Sequence, residues 1–214
     1  MEAADLEGRL AFIQAAEQLK NVLRSAYTSN GSQESTAEHT WRLCLLAMTF
    51  ADQVPGVNVE RVLKLCIIHD LGEAIGGDIP AVLQAQVPDK AERERCDLIE
   101  LMRPLPAALQ EEFLGLWEEY EAASTREARL VKGLDKLETI IQHNQGANPP
   151  DFDYAYNLEY GSRHTSTEPV LTALRSLVDA DTRVPDGKIQ ANRRRIGFDH
   201  GNIQDHLARS EEHT

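Results

Sequence analysis

The chain has little positive charge, no paired cysteines and no long apolar run. Its 214 residues carry 22 Lys and Arg against 35 Asp and Glu, a net charge of −13. Binding a duplex needs clustered Lys and Arg to neutralise its phosphates, so this balance argues against nucleic acid as a partner. A small phosphorylated ligand remains open, because one metal ion and one or two local cations can offset acidity elsewhere. The three cysteines, Cys44, Cys66 and Cys96, form no C-x-x-C pair. Their odd count fits a reducing compartment better than a disulfide framework, and Cys44 and Cys66, set in apolar runs, read as small core residues. No apolar stretch approaches a membrane span, and the acidic start MEAADLEGRL has no apolar signal segment. The expectation is a cytoplasmic protein without a membrane partner.

What is present fits one ordinary globular core: 42% of residues are hydrophobic and 27% charged. The apolar spacing is helical almost throughout. Leu6, Leu10, Ile13, Ala16 and Leu19 or Leu23 share one face of a helix over 5–24. Residues 27–35, polar and holding a glycine, read as a loop. Ser35 or Thr36 caps a helix to about residue 53, with Leu43, Leu46, Ala47 and Phe50 inward. Asn58 caps the next, through Val62, Leu65, Cys66 and His69. Gly72, Gly76 and Gly77 end it, and Asp78-Ile79-Pro80 opens a short helix over 80–84. A charged helix begins near Pro88, Pro104 and Pro106 interrupt, and a further helix runs to about Tyr120. The stretch 124–127 fits a capping box opening a long helix that carries Leu130, Leu134, Leu137 and Ile141. Residues 144–166 read as a long loop. Thr167-Glu168-Pro169 starts a last helix to about residue 180. The chain thus divides into one all-α domain over 1–180 and a polar tail over 181–214 containing Arg193, Arg194 and Arg195.

Four residues sit oddly in this pattern. His39 lies in the first turn of an apolar helix, His69-Asp70 follows the run Leu65-Cys66-Ile67-Ile68, and Asp135 follows Leu134 in mid-helix. Taken singly, each has an ordinary explanation as a satisfied or surface side chain. Together, two imidazoles and two carboxylates make a shell for one divalent transition metal, with Mn, Co, Zn, Fe, Ni and Cu all admissible. A cation would offset the desolvation of both aspartates.

An H…HD…D pattern in a helical chain resembles the HD-domain metal-dependent phosphohydrolases. The stretches STAEHTWRL, IIHDLGEAIGGDIPA and VKGLDKLETIIQ resemble the subgroup of bacterial 5′-deoxynucleotidases of the YfbR type and their eukaryotic HDDC-type relatives. The likeness spans about residues 15–180. It implies an HD-domain helical bundle with His39, His69, Asp70 and Asp135 as metal ligands. It implies Glu73 and Asp78 as the two acidic residues beside the metal, and Arg24 as the cation for the substrate phosphate. Ser25 stands where some members carry an aromatic residue that presses on the sugar; the nearest aromatic is Tyr27. The implied reaction is metal-dependent removal of phosphate from a (deoxy)nucleoside 5′-monophosphate, in a homodimer whose contact surface would be the leucine-rich helices over 88–120.

Glu73 lies four positions after His69 and three after Asp70, the same side of a helix if the turn persists. It could accept a proton from water or position it. Asp78 could protonate the leaving oxygen or hold a sugar hydroxyl; as a plain residue it reads as a cap before Pro80. Arg24 otherwise reads as a cation near a helix C-terminus. Lys132 and Lys136 read as solvent-facing, though one could reach phosphate; His143 reads as a residue that ends its helix, though it could approach the pocket. Competing expectations are a cyclic or polyphosphorylated nucleotide substrate, which for a triphosphate needs more cations than Arg24. A di-iron oxygenase needs extra histidines that 75–80 lacks. A non-catalytic binding module would keep a structural metal.

Overall fold

In a computed structural model of the chain, residues 3–81, 83 and 87–183 are described. Of the polar tail, residues 184–214, with Arg193, Arg194 and Arg195, lie outside the described residues. The elements are α1 (Ala3–Ala16), a 3-10 turn (Glu17–Lys20), β1 (Leu23–Tyr27), β2 (Gln33–Ser35), α2 (Thr36–Phe50), α3 (Val59–Ile68), α4 (Glu73–Gly76), α5 (Lys90–Met102), α6 (Ala107–Ala122), α7 (Arg126–Gln145), α8 (Tyr154–Glu159) and α9 (Pro169–Thr182). The fold is all-α apart from the small β1–β2 pair, which is antiparallel with Leu23 opposite Ser35 and Tyr27 opposite Gln33.

α7 is the axis. It packs against α2, α3, α6 and α9 and against β1. Val131, Leu134, Leu137 and Ile140 are buried on it, meeting Leu43 of α2, Leu65 of α3, Leu98 of α5 and Leu171 of α9 in one cluster. Each such side chain contributes about 1.5–3 kcal/mol by leaving water. Asp135, Glu138, Gln142 and His143 are buried on the same helix. Polar groups placed so deeply need partners.

Several helix starts obey their local chemistry. Ser35 and Glu38 form a reciprocal capping box at α2, and the Asn58 side chain caps α3. At α7 the cap is Thr125, whose hydroxyl accepts from Ala128 N; Glu127 instead accepts from the backbone N of Asn58, so the box over 124–127 does not form.

Several expectations need correction. The helix over 5–24 stops at Ala16, because Leu23–Tyr27 pairs with Gln33–Ser35 and Thr36 N donates to Val22 O. The segment 27–35 is therefore a hairpin rather than a loop. On α1 it is Phe12 that is buried, beside Phe113, while Leu6, Leu10 and Ile13 are 51, 58 and 64% exposed. The region 144–166 holds α8. Leu98, Leu101, Met102 and Leu116 of α5 and α6 are buried in the core, which withdraws them from any contact surface. Leu83 N donates to Pro80 O, but residues 82 and 84–86 of the short helix lie outside the described residues. Cys66 is fully buried, Cys44 half-buried and Cys96 exposed, all as free thiols. Among the described residues no helix is long and apolar enough to cross a membrane.

Candidate metal centre and active site

The capping box fixes the first turn of α2 so that His39 faces α7. His69 is the C-cap of α3, and Asp70 begins the tight connection to α4. His39 and His69 are buried, as is Asp135, and their two rings are 5.6 Å apart. His39 Nε2 lies 3.3 Å from Asp135 Oδ1 and 3.8 Å from Asp70 Oδ2, and His69 Nε2 lies 3.0 Å from Asp70 Oδ2. Close as these oxygens are, neither buried Nε2 has a hydrogen-bond partner among the described residues. Each ring is held by its other nitrogen: His39 Nδ1 meets Glu138 Oε2, and His69 Nδ1 is 2.8 Å from Cys66 O. An imidazole anchored at one nitrogen with the other free is how histidines are presented to a metal. His39, His69 and Asp70 each offer a donor atom within 4.8 Å of the others. Asp135 stands beside this trio with Oδ1 turned to His39, while Tyr120 Oη (2.7 Å) and Lys136 Nζ (2.8 Å) occupy its Oδ2.

The charges call for a cation at this point. Burial disfavours ionised Asp70, yet His69 and His39 outweigh it and hold the carboxyl well below the usual range. For Asp135 burial is likewise overcome by Lys136 and the two histidines. Burial and Arg24 push the His39 pKa down, but Glu138 and Asp135 lift it to about 10. Two nitrogens and an Asp70 oxygen thus converge where positive charge is favoured, with Asp135 Oδ1 beside His39, and this donor set fits a divalent metal ion.

Glu73 opens α4 and is 4% exposed. Thr36 Oγ1 donates to its Oε2 at 3.1 Å. Burial, with Asp70 and Asp78 nearby, raises its pKa to about 9. Gly77 takes φ +79°, turning the chain so that Asp78 returns to the cleft. Burial raises Asp78 as well, against the pull of Arg24 and of a hydrogen bond with Glu73. Arg24 lies on β1, not at a helix end. Its Nη2 donates to Thr139 Oγ1 at 3.1 Å, and Nη1 is 3.6 Å from Asp70 Oδ2. Glu34 backs it, with Oε2 3.4 Å from Arg24 Nε.

Arg24, His69, Asp70, Glu73, Asp78 and Asp135 all line one cleft of about 280 Å³, with His39 buried beneath it. Three expectations about α7 change here. Lys132 and Lys136 line the cleft rather than face away from it, and Lys132 Nζ lies 4.3 Å over the Tyr120 ring. His143 is buried on the cleft wall, 2.8 Å from Asn157 Oδ1. The signal was available: 132, 136, 139 and 143 repeat at helical spacing beside Asp135. Glu138, which anchors both His39 and Arg42 Nε (2.5 Å), lies three positions after Asp135 and was equally reachable. Lys90, Tyr120, Tyr156 and Tyr160 also line the cleft and had no local signal.

A family described as HD domain matches residues 16–175. Among characterised relatives, the 5′-deoxynucleotidase HDDC2 of Danio rerio is 38% identical over 142 residues, covering 65% of this chain and 70% of that protein. Its Homo sapiens counterpart is 35% identical over 138 residues, covering 64% and 67%. The Schizosaccharomyces pombe 5′-deoxynucleotidase hdd1 is 36% identical over 148 residues, covering 66% and 74%. A solved structure described as a predicted metal-dependent phosphohydrolase from Magnetospirillum magnetotacticum superposes with a TM-score of 0.71 at 28% identity, covering 84% of this chain and 94% of that one.

Proposed function

We propose, for a chain that belongs to the HD-domain family of metal-dependent phosphohydrolases, that this cleft removes phosphate from (deoxy)nucleoside 5′-monophosphates. The observation that carries the reading is the pair of buried, unbonded Nε2 atoms beside Asp70 and Asp135, at the floor of a cleft walled by Arg24 and the Glu73–Asp78 pair.

His39, His69, Asp70 and Asp135 would hold one divalent transition metal, with Mn, Co, Zn, Fe, Ni or Cu all compatible with a two-nitrogen, two-oxygen shell. When bound, such an ion polarises a phosphoryl oxygen and lowers the pKa of water. Arg24, kept charged by four surrounding carboxylates, binds the phosphate and orients it for attack. Glu73 and Asp78 each shift the other's titration and act as one unit. The pair takes a proton from the attacking water and gives one to the 5′ oxygen as the P–O bond breaks, so products are phosphate and a nucleoside hydroxyl. Thr36 fixes one Glu73 oxygen and leaves the other for this exchange.

Charge favours a monophosphate. The described lining residues include six carboxylates and five Lys or Arg side chains, leaving one net negative charge. A divalent ion reverses this to one positive, and a proton shared by Glu73 and Asp78 makes it two. That balances a phosphate monoester, which carries about −1.5 to −2 at pH 7. A triphosphate would leave an excess of negative charge, although five cations line the cleft where Arg24 alone was foreseen.

Residues 1–180 are the unit proposed to carry the activity. Free thiols support a cytoplasmic setting. The exposed Trp41, Leu45 and Met48, on one side of α2, support a homodimer, to be checked by light scattering on Trp41→Asp. The central test measures phosphate release from 5′-nucleotides after chelation and reloading with Mn, Co, Zn or Mg, beside Glu73→Ala. Turnover in the native chain and near-total loss in the variant sustain the proposal; equal background in both removes it.

A further inference from the structure

The wall of the cleft built by α8 is held by polar ties at both ends of a short helix. Six residues do not make a stable helix in water. Asp153 caps α8 by accepting from Ala155 N (3.0 Å) and Tyr156 N (3.4 Å). At the other end Arg175, buried on α9, donates to the carbonyls of Asn157 (2.8 Å), Leu158 (2.6 Å) and Tyr160 (2.7 Å). Its charge sits on the negative end of the helix.

This fixture holds Tyr156 and Tyr160, one turn apart, with ring centres 5.6 Å apart and planes inclined by 30°. Both are half-buried and line the cleft. The third lining tyrosine, Tyr120, is engaged by Lys132 over its ring, His69 against it at 5.0 Å and Asp135 on its hydroxyl. Tyr160 meets both Lys136 Nζ, 5.4 Å from its centre, and the Tyr156 ring. Among the described residues Tyr156 meets one other ring, that of Tyr160. Lys136 Nζ is also 2.8 Å from Asp135 Oδ2, so the aromatic pair begins within about 8 Å of the metal-ligand cluster. A pentose bridges a gap of that order between a 5′-phosphate and its base.

We propose that Tyr156, backed by Tyr160, is the platform on which the substrate's nucleobase stacks. The inference rests on reading the cleft as a nucleotide site. Stacking accepts any base, because every base has a π-face. The platform therefore favours a nucleotide over a bare sugar phosphate and discriminates weakly among bases.

The test compares kcat/KM for dAMP with that for deoxyribose 5-phosphate, in the metal-loaded chain and in Tyr156→Ala and Tyr156→Phe. Tyr156→Leu, which keeps the apolar volume, replaces the alanine variant if that one does not fold. The ratio should fall about 5- to 100-fold in Tyr156→Ala or Tyr156→Leu, through KM, and return in Tyr156→Phe. An unchanged ratio, or a native chain that treats both substrates alike, overturns the platform and leaves the phosphohydrolase reading standing. Turnover of neither substrate with any metal overturns both.

Discussion

The floor of the cleft and its outer wall are built on different terms. The floor belongs to long helices whose cores are closed: His39, His69 and Asp135 project from α2, α3 and α7 amid fully buried Leu43, Leu65 and Leu134. The wall is a two-stranded hairpin and a six-residue helix, held by isolated polar ties such as Thr139 to Arg24 and Arg175 to α8. Close packing places atoms rigidly because every displacement opens a void. Polar ties place a group only while each bond persists. A charge-dense floor thus receives the more rigid support, and the hairpin and α8, which would touch the bound substrate, receive the looser one.

Breaking the floor should have the largest effect. His69→Ala should abolish metal retention, read by elemental analysis after dialysis, together with phosphate release; retained metal at native stoichiometry would refute the ligand assignment. Glu73→Gln should lower turnover about 10²- to 10⁴-fold, the usual size of a lost acid–base group, while metal content stays native. Glu138→Gln, acting on the metal through His39, should weaken metal affinity about 10- to 100-fold in a competition titration. An effect as large as that of His69→Ala would place Glu138 in the shell itself.

The wall is sharpened by a smaller, pH-dependent effect. Burial, reinforced by Arg163, Lys136 and Lys132, lowers the His164 pKa from 6.5 to about 4. The folded state holds this ring neutral while the unfolded chain protonates it. Its contribution to stability is complete above pH 6.5 and is lost as pH falls toward 4. Thermal melts over that range should therefore fall less steeply for His164→Asn than for the native chain, and identical slopes would show that the ring is solvated in solution.

The same division governs what the sequence disclosed. Asp135 was legible because a carboxylate beside Leu134 interrupts an apolar stripe, and His69-Asp70 because it terminates one. Ser35, Glu38 and Asn58 announced their caps through local bonding alone. The strand bearing Arg24 went unread as a strand, although Asn30-Gly31 between short runs is a hairpin signal, because the helical spacing ahead of it runs on to Leu23. α1 shows the limit of periodicity: Leu6, Leu10 and Ile13 form a regular face, yet Phe12 is the residue that packs. Tyr156, Lys90 and Tyr160 reach the cleft only through tertiary arrangement, which no local spacing encodes.

Ser35 ends the second strand and also caps α2, so no spacer separates the ribbon bearing Arg24 from the helix bearing His39. One added residue at that junction would rotate the helix by about 100° and carry His39 off its bearing. The guanidinium and the imidazole are therefore phased like teeth on a single shaft, and length variation should be confined to the hairpin tip, well away from the joint.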